Sequence, residues 1–115
     1  MIRKAEECKT VTRTAMREGP GSVKITDLAT KEEMLNNARM HSFVELQPDC
    51  GIGYHEHTDE TEIYYIIDGE LLYNDNGTEV TIHAGDVTIC PPGEGHSVTN
   101  ITAVPAHLIA TIILK

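Results

Sequence analysis

His55 and His57 flank a single residue, and in a β-strand positions i and i+2 project from one face, so both imidazoles reach one point while Glu56 turns away. After the polar stretch 58–61 the chain enters a β-prone run at Glu62. There, alternation sets Glu62, Tyr64 and Ile66 on one face and Ile63, Tyr65 and Ile67 on the other. A carboxylate among apolar neighbours is costly to bury alone, whereas a divalent cation offsets the desolvation and keeps it ionised. A third imidazole, His96, opens another β-prone run just past the turn 91–95. Three imidazoles and one carboxylate suit one divalent transition metal, Mn(II), Fe(II), Co(II), Ni(II) or Zn(II), with up to two octahedral positions left for water or substrate. His55, His57, Glu62 and His96 are therefore the expected metal ligands.

A site of that kind takes a chelating ligand, a small carboxylate, 2-keto acid or enediol, which the metal would polarise as a Lewis acid or, if redox-active, bring beside dioxygen. The leading expectation is a metal-dependent small-molecule enzyme (oxygenase, decarboxylase or isomerase), and the alternative is a metal-dependent binding protein that holds a small organic acid without turnover. The sequence names no catalytic residue, and Tyr64, on the Glu62 face, is the one further side chain suited to take part. Tyr64, Ile66 and Val98 are candidates to line the pocket. His41, His83 and His107 fall outside the pattern and read as packing or surface residues. Cys90, beside Pro91-Pro92 with no adjacent base, reads as a small buried side chain.

The elements that must position these residues are strands. From Arg39 onward, short runs rich in Val, Ile, Thr and Tyr alternate with turn signals, which predicts an all-β protein of about eight strands closed into a barrel or jelly roll. Asp68-Gly69 and Asn76-Gly77 predict two tight hairpins in series. Residues 1–38 differ. They predict an arm with a strand at 22–25, a capping box at Thr30-Lys31-Glu32-Glu33 and a short helix near 31–38, packing on the barrel or on a second subunit.

The two clusters together resemble the cupin superfamily. Its first motif, His-x-His, three or four residues, Glu, six residues and Gly, is matched by His55, His57, Glu62 and Gly69. Its second, Gly, five residues, Pro-x-Gly, two residues, His, three residues and Asn, is matched by Gly85, Pro91, Gly93, His96 and Asn100. The glycine that usually opens the first motif is Asp49 here, with Gly51 and Gly53 nearer the histidine. The resemblance implies a cupin double-stranded β-helix over residues 39–115, a short N-terminal arm with a helix over 1–38, and one metal on the same four side chains. It implies a structural rather than ligating role for Asn100. Retention of Glu62 sets the chain apart from the family's thiol dioxygenases, which commonly lack the glutamate, and no helix-turn-helix segment links it to the family's transcription regulators.

The whole chain sets outer bounds. Its 115 residues suffice for one domain. Nine Lys and Arg against 18 Asp and Glu give 9 − 18 = −9, a charge that repels nucleic acid. The charged start lacks the apolar core of a secretory signal, no run is long enough to span a membrane, and three unpaired cysteines suggest a reducing compartment, so a cytoplasmic protein is expected. Apolar side chains left outside so small a barrel, Tyr65 and Ile67, together with the apolar stretch 108–114, predict a homodimer.

Overall fold

Burial alternates residue by residue along the β-prone runs: between Glu60 and Asp68, the side chains of Glu62, Tyr64 and Ile66 are buried while Tyr65 and Ile67 face outward. That period of two is the pattern of a sheet with one face on a core. The computed structural model describes residues 1–115 and contains ten strands. In chain order they are β1 (Thr10–Thr14), β2 (Ser22–Asp27), β3 (Ala38–Leu46), β4 (Gly51–Glu56), β5 (Glu60–Asp68), β6 (Glu70–Asp75), β7 (Thr78–His83), β8 (Val87–Cys90), β9 (Gly95–Asn100) and β10 (Ala106–Leu114). Two antiparallel sheets face each other, one ordered β1-β2-β3-β10-β5-β8 and the other β4-β9-β6-β7. Val44, Leu46, Ile66, Leu71, Val98 and Leu108, all fully buried, fill the space between them. The eight strands β3 to β10 make the expected cupin jelly roll.

Two local expectations need correction. Asn76-Gly77 is a true hairpin, with Asp75 opposite Thr78 and both turn residues at positive φ. Asp68-Gly69 is not. Only Gly69 separates β5 from β6, too short a link for a two-residue hairpin loop, and the two strands belong to different sheets. Gly69, at φ +92, turns a corner from one sheet to the other, and a Cβ on it would sit 2.5 Å from that of Ala106.

The helix expected over 31–38 is a set of turns. Its capping box forms: the Thr30 N–H donates to Glu33 Oε1 (2.8 Å) and the Glu33 N–H to Thr30 Oγ1 (3.2 Å). Leu35 and Asn36 then enter the left-handed region and the turn closes with Asn36 N–H on Lys31 O. Leu35 stays exposed, and with no apolar stripe to bury, a second helical turn gains nothing. The arm's ordered elements are instead a single-turn 3-10 helix, Ala5–Glu7, a tight turn at Met16–Glu18 in which Arg17 and Glu18 are left-handed, and the strands β1 and β2. β2 pairs with β3 and adds Val23 and Ile25 to the core. No helix is long and apolar enough to cross a membrane.

Candidate metal centre

His55 lies one residue from the end of β4, His57 just past it, Glu62 on β5 and His96 on β9, so the four come from both sheets. Ile52 and His55 both point inward although three residues apart, which strict alternation forbids. A bulge resolves the parity: Ile52 pairs with Val98 and His55 with His96, so β4 spends one more residue than β9 over this interval. Asp49, in the place of the family's usual glycine, adopts φ +63, a left-handed conformation that Asp tolerates better than most residues. The loop after β8 is tied to His57 by two backbone bonds, His57 N–H to Glu94 O (3.1 Å) and Gly93 N–H to His57 O (2.8 Å). The same loop leads directly into His96.

The expected ligands converge. One ligand atom from each of His55, His57, Glu62 and His96 lies within 4.8 Å of every other. Glu62 Oε1 is 3.7 Å from His55 Nε2, 3.1 Å from His57 Nε2 and 2.9 Å from His96 Nε2, and the last two nitrogens are 3.1 Å apart. The rings meet edge-on, with centroids 4.8 to 5.0 Å apart.

Each ring's other nitrogen is engaged outside the cluster. His55 Nδ1 is 2.8 Å from the Gly53 carbonyl, His57 Nδ1 2.6 Å from Glu60 Oε2, and His96 Nδ1 2.7 Å from the Tyr73 hydroxyl. A carbonyl and a carboxylate only accept, so His55 and His57 carry their proton on Nδ1. With the same tautomer at His96, three Nε2 lone pairs and a carboxylate oxygen face one another with no proton between them. Such a knot of acceptors, nearly free of solvent, calls for a cation, and its donor types and outward hydrogen bonds fit a divalent transition metal.

The surrounding electrostatics agree. Burial pushes the Glu62 carboxyl up, but in the metal-free cluster imidazoles of His55, His57 and His96 that also carry a proton on Nε2 donate to it, more than reverse this and hold it well below the usual carboxylate range, a role that a bound cation would take over. The bond to Glu62 raises His57, while burial lowers His96. Glu60 is held at about 2, first by Arg39, whose Nε and Nη2 grip its two oxygens at 2.8 and 2.7 Å. Arg39, Glu60 and His57 thus form a relay that orients one ligand from outside.

Above the cluster lies a cavity of about 70 Å³ lined by His55, His57, Glu62, Tyr64, Arg39, apolar side chains and two residues of the arm, Met16 and Arg17. Of the three side chains proposed to line it, Tyr64 does, stacked on His96 at 5.1 Å. Ile66 and Val98 belong to the core away from the cavity. Asn100 is structural: buried, its Nδ2 donates to Leu46 O and Val104 O and its Oδ1 accepts from Thr102. His41, His83 and His107 stay outside the cluster, bonded to Thr111, near Glu70, and between Asp68 and Glu45 respectively. Cys90 is buried and its thiol is pushed up to about 11, first by burial, so it is inert.

Sequence reasoning missed Glu60, Tyr73 and Arg17. Tyr73 carried a signal, since alternation from buried Leu71 turns it inward. Glu60 sat in a stretch read as a polar loop, and Arg17 lies far from both motifs.

The Cupin domain family matches residues 42–112. The oxalate-binding protein of Thermotoga maritima is 43% identical over 99 residues, covering 86% of this chain and 82% of that protein. A Thermotoga maritima crystal structure described as a predicted oxalate decarboxylase superposes with a TM-score of 0.95 at 39% identity, covering both chains completely. A cupin sugar phosphate isomerase from Silicibacter pomeroyi matches at a TM-score of 0.77 and 19% identity, over 97% of this chain and 74% of its own, a likeness of fold alone. The chain belongs to the cupin family.

Proposed function

We propose that this protein binds a small dicarboxylate of the oxalate type through one divalent metal held by His55, His57, Glu62 and His96, and that it does so without turning the ligand over. The observation that carries this reading is the lining of the cavity. Apart from three of the ligands, His55, His57 and Glu62, and two arginines, its walls are Met16, Met40, Val44, Ile52, Ala110, Ile112 and Tyr64. No carboxyl, thiol or further imidazole is free there to move a proton. Burial raises the Tyr64 phenol well above its usual value, so Tyr64 keeps its proton and donates a hydrogen bond to the ligand rather than acting as a base. The bound metal would supply Lewis-acid polarisation and two coordination positions for a chelating ligand. The cavity has room for about two waters at roughly 30 Å³ each, so the part of the ligand that enters it is small. The oxalate-binding relative supports the ligand class.

A second reading, decarboxylation, is favoured by the description of the Thermotoga maritima crystal structure. One experiment separates the two. Protein loaded with Mn(II) is titrated with oxalate by calorimetry and then held with oxalate and dioxygen while formate and CO₂ are followed. Stoichiometric binding without product supports the binder, sustained product formation supports the decarboxylase, and no binding to metal-loaded protein removes both.

We further infer a homodimer in the cytoplasm. Tyr65, Val87 and Ile89 are each about half exposed or more on the outer face of the larger sheet, where Tyr65 pairs with Val87 and with Ile109. The apolar stretch 108–114 supports the dimer less than its composition suggested, because Leu108, Ala110 and Ile112 face the core. Three free cysteines fit a reducing compartment.

A further inference from the structure

Arg17 stands at the mouth of the metal cavity with no carboxylate partner, whereas Arg39 is gripped by Glu60 and Arg3 by Glu33. Its backbone lies at φ 52, with Ala15 at 53 and Glu18 at 62, so three of four consecutive non-glycine residues occupy the left-handed region. Such strain persists only where the surroundings over-determine it, and it concentrates at ligand clamps. Here they do. Hydrogen bonds from Ala15 N–H to Gly21 O, Glu18 N–H to Ala15 O and Gly19 N–H to Met16 O close the segment on itself, and Gly51 N–H to Pro20 O fastens it to β4. The Arg17 carbonyl rests on Gly53, where any Cβ would collide with it, and the Gly53 carbonyl in turn holds His55. The strained turn is thus built onto the metal site.

Charge points the same way. In a chain of net charge −9, four of the nine cations, Lys9, Arg13, Arg17 and Arg39, line one groove of about 670 Å³ with Asp27 as its single acid. That groove shares Met16, Arg17, Arg39 and Met40 with the small cavity, so it opens onto the metal site. A chelating dicarboxylate presents two oxygens to a metal and two to the opposite side. The cavity has room for the first edge, and the second then projects to the rim.

We propose that Arg17 is the specificity residue of this site, its guanidinium taking the outward edge of a dicarboxylate whose other edge faces the metal ligands. The proposal rests on the dicarboxylate reading above. A planar two-oxygen edge matches the guanidinium fork, whereas glycolate, chelating through its hydroxyl and one carboxylate oxygen, leaves a single outward oxygen. Oxalate and glycolate therefore probe the clamp separately from the metal.

The test is calorimetry of Mn(II)-loaded wild type, Arg17→Gln and Arg17→Lys with both acids, after metal content is measured. Arg17→Gln is expected to hold metal as the wild type does, to bind oxalate about 10- to 100-fold more weakly, and to bind glycolate within about threefold of wild type. Arg17→Lys, which keeps the charge but not the fork, is expected to fall between the two. Unchanged oxalate affinity in metal-loaded Arg17→Gln overturns the assignment, as does an equal loss for both acids. Should Arg17→Gln not fold, Arg17→Lys decides, and oxalate affinity equal to wild type overturns the proposal. A metal-loaded wild type that binds neither acid is a distinct outcome, which overturns the dicarboxylate reading and this proposal with it.

Discussion

Each imidazole of the cluster uses both nitrogens, one toward the shared centre and one toward a fixed hydrogen-bond partner, and the second bond decides what the first can do. Removing the outer partner should therefore weaken metal binding without removing a ligand. Tyr73→Phe removes the hydroxyl 2.7 Å from the buried His96 Nδ1, the nitrogen that must carry the proton when Nε2 binds a metal, and metal affinity measured by competition with a chelator should fall about 10- to 100-fold while the circular dichroism spectrum is retained. The direct ligand change His96→Ala should abolish stoichiometric metal under the same conditions. Glu60 gives a pH signature. Its carboxyl, held at about 2 against an ordinary 4.5, is depressed in the folded state, so the stability it contributes is complete above 4.5 and is lost as pH falls toward 2. Wild-type melts should thus show an acid-side loss between those values that is smaller in Glu60→Gln.

Among the elements, β4 carries the greatest constraint, because it must seat Ile52 in the core, place His55 three residues later on the same side, and accept the arm's strained turn on its outer surface. The bulge at Gly53 meets all three demands. Gly53→Ala sets a methyl against the Arg17 carbonyl, and the collision should cost about 1–3 kcal/mol, read as a melting temperature lowered by roughly 5–15 °C. The corner at Gly69 illustrates how far local signals reach. Asp68-Gly69 and Asn76-Gly77 look alike as dipeptides, yet only the second closes a hairpin, because β5 finds its partners in β10 and β8. The aborted helix after Thr30 teaches the same: caps can start a turn, but burial must continue it.

At the scale of the molecule, two sheets enclose the core and the larger one ends in outward apolar side chains on β5 and β8. Light scattering at micromolar concentration should return twice the chain mass, and Val87→Lys, placed where Tyr65 and Val87 are cross-strand neighbours, should shift it toward the monomer. A wild-type monomer would remove the dimer. The uneven charge also belongs to this scale: a strongly acidic chain gathers four cations around one opening, a field that draws small anions to the metal site and weakens with salt.

The residue types and their spacing determined the candidate ligands, since alternation along a strand is a local rule and His55, His57, Glu62 and His96 each obey it or sit at a recognisable motif position. The same rule determined the all-β class and the inward face of β5. It did not reach the pairing of β5 with β10 and β8, the bulge before His55, the Arg39–Glu60–His57 relay or the seat of Arg17 over the cavity. Those depend on which distant segments lie side by side, and contacts between residues far apart in sequence are chosen by the packing of the whole core.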